Sequence, residues 1–275
     1  MTERPCPLCD SRSYTSYLAK HPGLIRCTTC GLVTWDRLEE PEELERLYNE
    51  QVFSPMEYYM LSLQADLRTF REVFRQIRQR VSPGRLLDVG CASGAFMTIA
   101  QENHWQPEGI DLNRKVVEFC VSHWNLSATY GTLESGKYPE GTFLMVHMGD
   151  VLEHVREPLA LLEAARQVLR PGGWVVISTP NIDSWAAKTF QIKRGEHLFY
   201  FNRETMRRGL QRAGFTEIAV DTHDRYRSLA GLSESSTFTE RHLARSVLMG
   251  IRRLIPESFS FKIPFQENLL AFAKK

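Results

Sequence analysis

No run in the sequence approaches the ~18 consecutive apolar residues of a membrane-spanning helix. The N-terminus, MTERPCPLCD, lacks the apolar stretch of a secretory signal, so none is expected. Net charge is nearly absent: 34 Lys and Arg stand against 33 Asp and Glu, leaving +1. A chain so balanced projects no broad basic field, which weighs against a mainly electrostatic binder of nucleic acid, although a local basic patch is still allowed. Internal repeats and low-complexity tracts are missing too. These absences make a globular protein with a cytoplasmic location the default expectation. The 275 residues, 43% of them hydrophobic, suffice for one mid-sized catalytic domain and a small satellite.

Cysteine is present but unevenly spread. Cys6, Cys9, Cys27 and Cys30 form two CxxC pairs, whereas Cys91 and Cys120 stand alone. In a reducing compartment such pairs point to zinc rather than disulfides. Each pair turns two thiolates towards one metal, and two pairs complete a closed tetrahedral four-sulfur site, expected to be structural. Pro7 and Gly31 suit the turns. Residues 1–40 are therefore predicted to be a zinc ribbon, too short to bury much core without its metal.

Residues 41–82 read as a helical segment that links the ribbon to the rest and packs beside the cleft. Pro41 opens Glu42–Tyr48 as a first-turn residue. Leu63, Leu67, Phe70, Phe74 and Ile77 then alternate by four and three, one apolar face of a helix from about Glu57 to Arg80. Tyr58 and Tyr59 are candidates to line the cleft, against an ordinary core or surface role. Ser82-Pro83-Gly84 ends the helix.

The stretch that organises the chain follows, Arg85 to Gly94, RLLDVGCASG. Leu86, Leu87 and Val89 make a buried strand, and Asp88 inside it is costly unless satisfied. Gly90 and Gly94 permit a tight turn into a helix and close approach of a ligand to the backbone. Roughly twenty residues on, Gly109-Ile110-Asp111-Leu112 ends a second strand with an acid, the spacing that sets a carboxylate on ribose hydroxyls. Strands are predicted at 85–90, 107–112, 127–132, 143–149, 174–180, 216–222 and 269–273, with helices near 93–104, 113–124, 158–169 and 203–213. Pro171-Gly172-Gly173 reads as a turn. The alternation implies an α/β fold, a mainly parallel sheet with helices on both faces, over residues 83–275. Residues 223–265 interrupt the last hairpin. There Leu243, Val247, Leu248, Ile251 and Leu254 lie among Arg241, Arg245, Arg252 and Arg253, a basic amphipathic pattern at 240–255. It suits a helix that covers the substrate side or a partner subunit, or one that lies on a membrane surface.

LLDVGCASG, GIDLN, GDVLEHV and LRPGGWVVISTPN, in that order, resemble the class I S-adenosylmethionine-dependent methyltransferases across about residues 83–220, with a returning strand near 268–274. The resemblance implies a Rossmann-like seven-stranded sheet whose seventh strand runs antiparallel between the fifth and sixth. It implies S-adenosylmethionine as cofactor and S-adenosylhomocysteine as product. Gly90 would contact the amino-acid end, Asp88 its ammonium directly or through water, and Gly94 would start the helix that faces its carboxylate. Asp111 would take the ribose hydroxyls and Leu112 the adenine. Thr132 and Leu133 stand where relatives often carry an acid for the adenine amino group, a departure. Phe143-Leu144 departs from the usual Phe-Asp. Gly149 would flank the methionine moiety. A nicotinamide enzyme is the competing reading, but GCASGAF departs from GxGxxG.

The acceptor is less legible. After the fourth strand, Gly149-Asp150-Val151-Leu152 replaces the Asn/Asp-Pro-Pro-Tyr/Phe of many enzymes that methylate nucleic-acid amines. Glu153-His154 reads as structural or cofactor-side. Glu196-His197, after the fifth strand, offers a general base oriented by a carboxylate, or else a turn-anchoring histidine; His147 ranks lower. The ribbon joined to this core is similar to the bacterial nucleotide-sugar C-methyltransferases, which also carry Glu-His here but are longer. The expectation is a shortened relative that methylates a sugar or other small metabolite at carbon or oxygen. The alternative is an RNA or protein methyltransferase docked through the ribbon. Arg4, Arg12, Lys20, Arg26 and Arg37 are too scattered to favour RNA.

Overall fold

The computed structural model describes residues 4–40, 42–43, 46, 50, 56–133, 138–228, 259–262 and 264–275. Most of the expected helix at 41–48, the side chain of Tyr58 and the whole of the expected helix at 240–255 lie outside the described residues.

A seven-stranded sheet forms the centre. Its strands are β4 (Arg85–Val89), β5 (Gln106–Asp111), β6 (Ser127–Tyr130), β7 (Phe143–Gly149), β8 (Leu169–Pro180), β10 (Thr216–His223) and β13 (Asn268–Lys274), in the spatial order β10-β13-β8-β7-β4-β5-β6. Pairing is parallel from β6 through to β8. β13 is antiparallel to both β8 and β10. This is the Rossmann-like sheet expected from the motifs. The strands read as apolar runs because both faces are covered. Leu87, Val89, Val146 and Met148 meet one core, and Leu86, Met145 and Val176 meet the other.

Differences from the expected boundaries have local causes. β6 ends at Tyr130 because Gly131 turns away at φ 135°. β8 begins at Leu169 rather than at 174. Pro171-Gly172-Gly173 bulges within the strand, and the pairing with β7 slips between Phe143 and Met145.

Helix α1 (Met56–Ile77) lies on one face of the sheet. Its predicted stripe is inside: Leu63, Leu67, Phe74 and Ile77 are buried. Helices α2 (Ala95–Glu102), α3 (Arg114–Trp124), α4 (Pro158–Val168), α5 (Trp185–Phe190) and α6 (Arg203–Arg212) follow in order. The described ends of the 223–265 insertion form a hairpin of β11 (Tyr226–Ser228) and β12 (Ser260–Lys262) that lies on α1. Thr69 Oγ1 accepts from Tyr226 N at 2.9 Å, and Arg68 donates to Ser260 Oγ at 2.9 Å.

The N-terminal segment supplies β1 (Tyr14–Ser16), β2 (Leu24–Cys27) and β3 (Val33–Trp35). Its sheet is completed from far along the chain by β9 (Phe199–Tyr200), which pairs antiparallel with β3. Leu8, Ile25 and Leu32 share one core with Met206 and Leu210 of α6. The segment is thus built into the rest of the chain through β9 and α6. Among the described residues no helix is long and apolar enough to cross a membrane.

Candidate functional site

Parallel pairing sets the C-terminal ends of β4, β5, β7 and β8 along one edge. Val89 is in register with Ile110 and with Met148, and Gly149 with Ser178. Ligands of open α/β sheets bind along this edge. Gly90 turns the chain out of β4 at φ 70°, and a Cβ there would lie 2.5 Å from Val151 Cγ2. Gly94 caps α2 at φ 76°, and its Cβ would meet Leu126 Cδ1 at 2.8 Å. Only glycine satisfies both the backbone and the space. Gly94 also brings no side chain to the first turn of α2, whose positive end suits a carboxylate.

Asp111 ends β5 beside that loop. Its Oδ2 accepts from Ala92 N at 3.0 Å and its Oδ1 from Asn113 N at 2.8 Å. Burial raises its pKa to about 6, against the pull of these amides. Each oxygen keeps a second lone pair for a ribose hydroxyl. Leu112 follows Asp111 and is half-buried, Leu133 is buried in the core that holds Val89 and Ile110, and Gly149 ends β7. This donor and acceptor set fits S-adenosylmethionine.

Asp88 has a different explanation from the one its sequence position suggests. It is 2% exposed, and its Oδ1 lies 2.6 Å from Nδ1 of His147 on the neighbouring strand. Burial raises its pKa and His147 opposes the rise. The His147 ring stacks on Phe96 of α2 at 3.5 Å. A protein partner therefore accounts for the buried carboxylate, and His147 belongs to this pair rather than to an acceptor site.

A second cluster sits past the ends of β7 and β8. Glu153, His154 and His197 each bring one ligating atom within 4.8 Å of the others. Thr179 of β8 donates to Glu153 Oε2 at 2.9 Å. The Glu153 carbonyl accepts from Leu198 N at 2.8 Å and Phe199 N at 3.1 Å. His154 Nδ1 lies 2.8 Å from the Glu196 carbonyl, which only accepts, so that nitrogen carries the proton. Burial pushes the Glu153 carboxyl up to about 7. Burial, then His154 and Lys193, hold His197 well below the ordinary histidine range, so its ring is uncharged at neutral pH.

Glu196 does not orient His197 as the sequence suggests. Its Oε1 is 3.8 Å from His197 Nε2, beyond hydrogen-bonding distance, and 2.8 Å from Lys193 Nζ. The backbone at His197 and Leu198 is held instead from the N-terminal segment: Trp35 Nε1 donates to the His197 carbonyl at 3.0 Å, and Thr34 Oγ1 donates to the Leu198 carbonyl at 2.9 Å. Sequence reasoning missed these anchors and the central place of Glu153. It also missed Arg225, which pairs with Asp66 of α1 at 3.0 Å and with Asp150 after β7. No local pattern marks such pairs, because their partners are over a hundred residues away or on another element.

In the N-terminal segment, the four predicted cysteines converge, with all sulfurs within 4.8 Å of one another. Cys6 and Cys30 sulfurs are 3.4 Å apart, and Cys9 and Cys27 sulfurs 3.5 Å. A tetrahedron built on Zn–S bonds of about 2.3 Å has edges of about 3.8 Å, so the set fits zinc.

A family model described as a methyltransferase domain matches residues 62–220. A phosphoethanolamine N-methyltransferase of Triticum aestivum is 30% identical over 152 residues, covering 51% of this chain and 30% of that protein. A ubiquinone biosynthesis O-methyltransferase of Paraburkholderia xenovorans is 33% identical over 110 residues, covering 35% of this chain and 44% of that protein. The chain spans less than half the length of these curated relatives. The crystal structure of a SAM dependent methyltransferase from Archaeoglobus fulgidus matches with a TM-score of 0.54 at 19% identity, covering 86% of this chain and all of that one, a likeness of fold.

Proposed function

The chain belongs to the methyltransferase-domain family, and from that membership we propose that it transfers a methyl group from S-adenosylmethionine to a small-molecule acceptor. The observation that carries the cofactor assignment is the register of β4 with β5, which sets the Gly90–Gly94 turn beside Asp111. Bound there, S-adenosylmethionine supplies an electrophilic sulfonium methyl. The chain's own residues bind and orient. In this reading Gly90 and Gly94 receive the amino-acid end, Asp111 the ribose, Leu112, Thr132 and Leu133 the adenine, and Gly149 the methionine side. Asp88 acts from behind, by tying β4 to β7 through His147.

The acceptor enters over Glu153, His154 and His197. With nothing else bound there, His197 is the base, an uncharged imidazole able to take a proton at neutral pH. Glu196 keeps Lys193 neutralised beside it. The ribbon, held together by zinc at Cys6, Cys9, Cys27 and Cys30, supports the loop that carries His197. That use favours a small acceptor over a docked RNA or protein. The resemblance to nucleotide-sugar C-methyltransferases makes a sugar or related metabolite the first class to try. The same reading divides the chain into ribbon (1–40), linking segment (41–82) and catalytic domain (83–275) with an insertion at 223–265.

The test is calorimetry with S-adenosylhomocysteine followed by a screen of nucleotide sugars, phenolic and carboxylic metabolites and RNA with labelled methyl donor. Micromolar-range binding that Asp111→Ala weakens by about 1–3 kcal/mol is expected. Absence of binding to the wild type sinks the methyltransferase reading, and transfer to RNA alone sinks the small-acceptor reading.

A further inference from the structure

We propose that Glu153, His154 and His197 form a three-ligand site for a divalent transition-metal ion at the acceptor end of the cleft. The inference rests on the acceptor-side reading above and deepens it. Its first support is convergence: one ligating atom from each residue lies within 4.8 Å of the other two, although His197 is over forty positions from Glu153. An ion with bonds of about 2.1 Å needs its ligands about 3.0–3.4 Å apart, so the side chains close on it by an ångström or so.

The second support is independent of spacing. Glu153 Oε1 and His197 Nδ1 are buried without a hydrogen-bond partner among the described residues. Their residues are 1% and 4% exposed. A buried polar atom left unsatisfied is destabilising and rare enough to need a reason. A cation between them satisfies both.

The surroundings have the form that metal ligands require. Ligating histidines usually donate their other ring N–H to a carbonyl or carboxylate. His154 does so: Nδ1–H faces the Glu196 carbonyl at 2.8 Å, which leaves the lone pair on Nε2. Thr179 holds the second oxygen of Glu153 at 2.9 Å. Lys193, the ammonium that would oppose a cation here, is neutralised by Glu196 at 2.8 Å.

Two imidazoles and one carboxylate suit manganese, iron, cobalt or zinc; magnesium and calcium prefer oxygen ligands throughout. Three protein ligands leave positions open, unlike the closed four-sulfur ribbon site. An acceptor hydroxyl that enters an open position becomes more acidic. Its proton leaves to solvent, its oxygen forms the new bond to the methyl carbon, and the carbon–sulfur bond breaks with its electron pair on sulfur. The acceptor class is thus a hydroxylated small molecule methylated on oxygen, and His197 serves as ligand rather than base.

The test uses the full chain with its ribbon zinc in place and loosely held metal removed. Mn²⁺ is titrated in with the free ion followed by electron paramagnetic resonance, and Co²⁺ by its visible absorption. S-adenosylhomocysteine binding is measured on the same samples as a check of folding. Wild type should bind one Mn²⁺ or Co²⁺ without thiolate charge-transfer absorption. Glu153→Gln and His197→Gln should each weaken that binding by more than about 100-fold, and Thr179→Val by less, within the about 10–100-fold cost of losing a supporting partner. Wild type that takes up neither ion overturns the proposal, as does binding unchanged in both Glu153→Gln and His197→Gln. Ion binding without S-adenosylhomocysteine binding leaves the site standing and removes the methyltransferase reading instead.

Discussion

The indole of Trp35, at the end of β3, donates to the backbone carbonyl of His197 at 3.0 Å. The bond crosses from the N-terminal segment to the loop that carries His197. Trp35→Phe keeps the ring and removes the donor, leaving a buried carbonyl short of a partner. The expected loss is about 1–3 kcal/mol of stability in urea unfolding. Turnover should fall and the acceptor KM rise, with S-adenosylhomocysteine affinity unchanged. Unaltered kinetics would mean that the ribbon does not position this loop.

Zinc removal should act in the same direction and more strongly. Leu8, Ile25 and Leu32 of the N-terminal segment share a core with α6, so unfolding of that segment exposes Met206 and Leu210. Cys27→Ser should lose the metal and lower the melting temperature by about 5 °C or more, the scale of one to two kcal/mol in a domain this size. Metal analysis of purified wild type should give one zinc per chain. A metal-free wild type with four titratable thiols would dispose of the zinc assignment.

Cofactor affinity should depend on pH through Asp111. Its folded pKa, raised by burial to about 6, lies above the ordinary carboxylate value. Between about pH 4 and 6 the ligand-free protein therefore holds a proton that the unfolded chain releases, and this contribution to stability is lost as pH rises through that window. Ribose hydroxyls donate to the ionised form, so binding favours loss of the proton. S-adenosylhomocysteine affinity should weaken below about pH 6, approaching ~10-fold per pH unit. In Asp111→Asn it should be weaker and flat over the same range. A wild-type profile flat from pH 5 to 7 would exclude the assignment.

The Asp88–His147 pair should matter to stability more than to binding. Asp88→Ala strands the His147 ring nitrogen in a buried position, and a cost of about 2–4 kcal/mol is expected. Folded protein at low temperature should still bind S-adenosylhomocysteine within a few-fold of wild type. A large loss of affinity at unchanged stability would return Asp88 to direct contact with the ligand's ammonium.

The sheet was legible because its strands are short apolar runs between turn residues, and the loop after β4 because its glycines fall where backbone geometry demands them. Asp111 was legible from its distance to that loop. What escaped the sequence depends on partners remote in the chain. Phe199–Tyr200 is a strand only because β3 offers an edge to pair with. Asp88 looks like a ligand-binding acid until His147, 59 residues away, takes its Oδ1. Glu153 looks structural until His197 comes to it. The Glu196-His197 pair misleads in the opposite sense: neighbours in sequence, they leave 3.8 Å between the groups that were expected to bond.

The position of β13 bears on how the protein is made. The ribosome synthesises it after the six other strands of its sheet, yet it belongs between β8 and β10. Until it emerges, those two strands present open edges to other nascent chains, a situation that favours aggregation. Its pairing with β8 joins Asn268 to Pro180 across almost ninety residues. Non-local closure of this kind is slow. The growing chain must therefore wait, with a gap in its sheet, for β13 to thread between two strands already in place, and chaperone dependence in the cell would be concentrated in that interval.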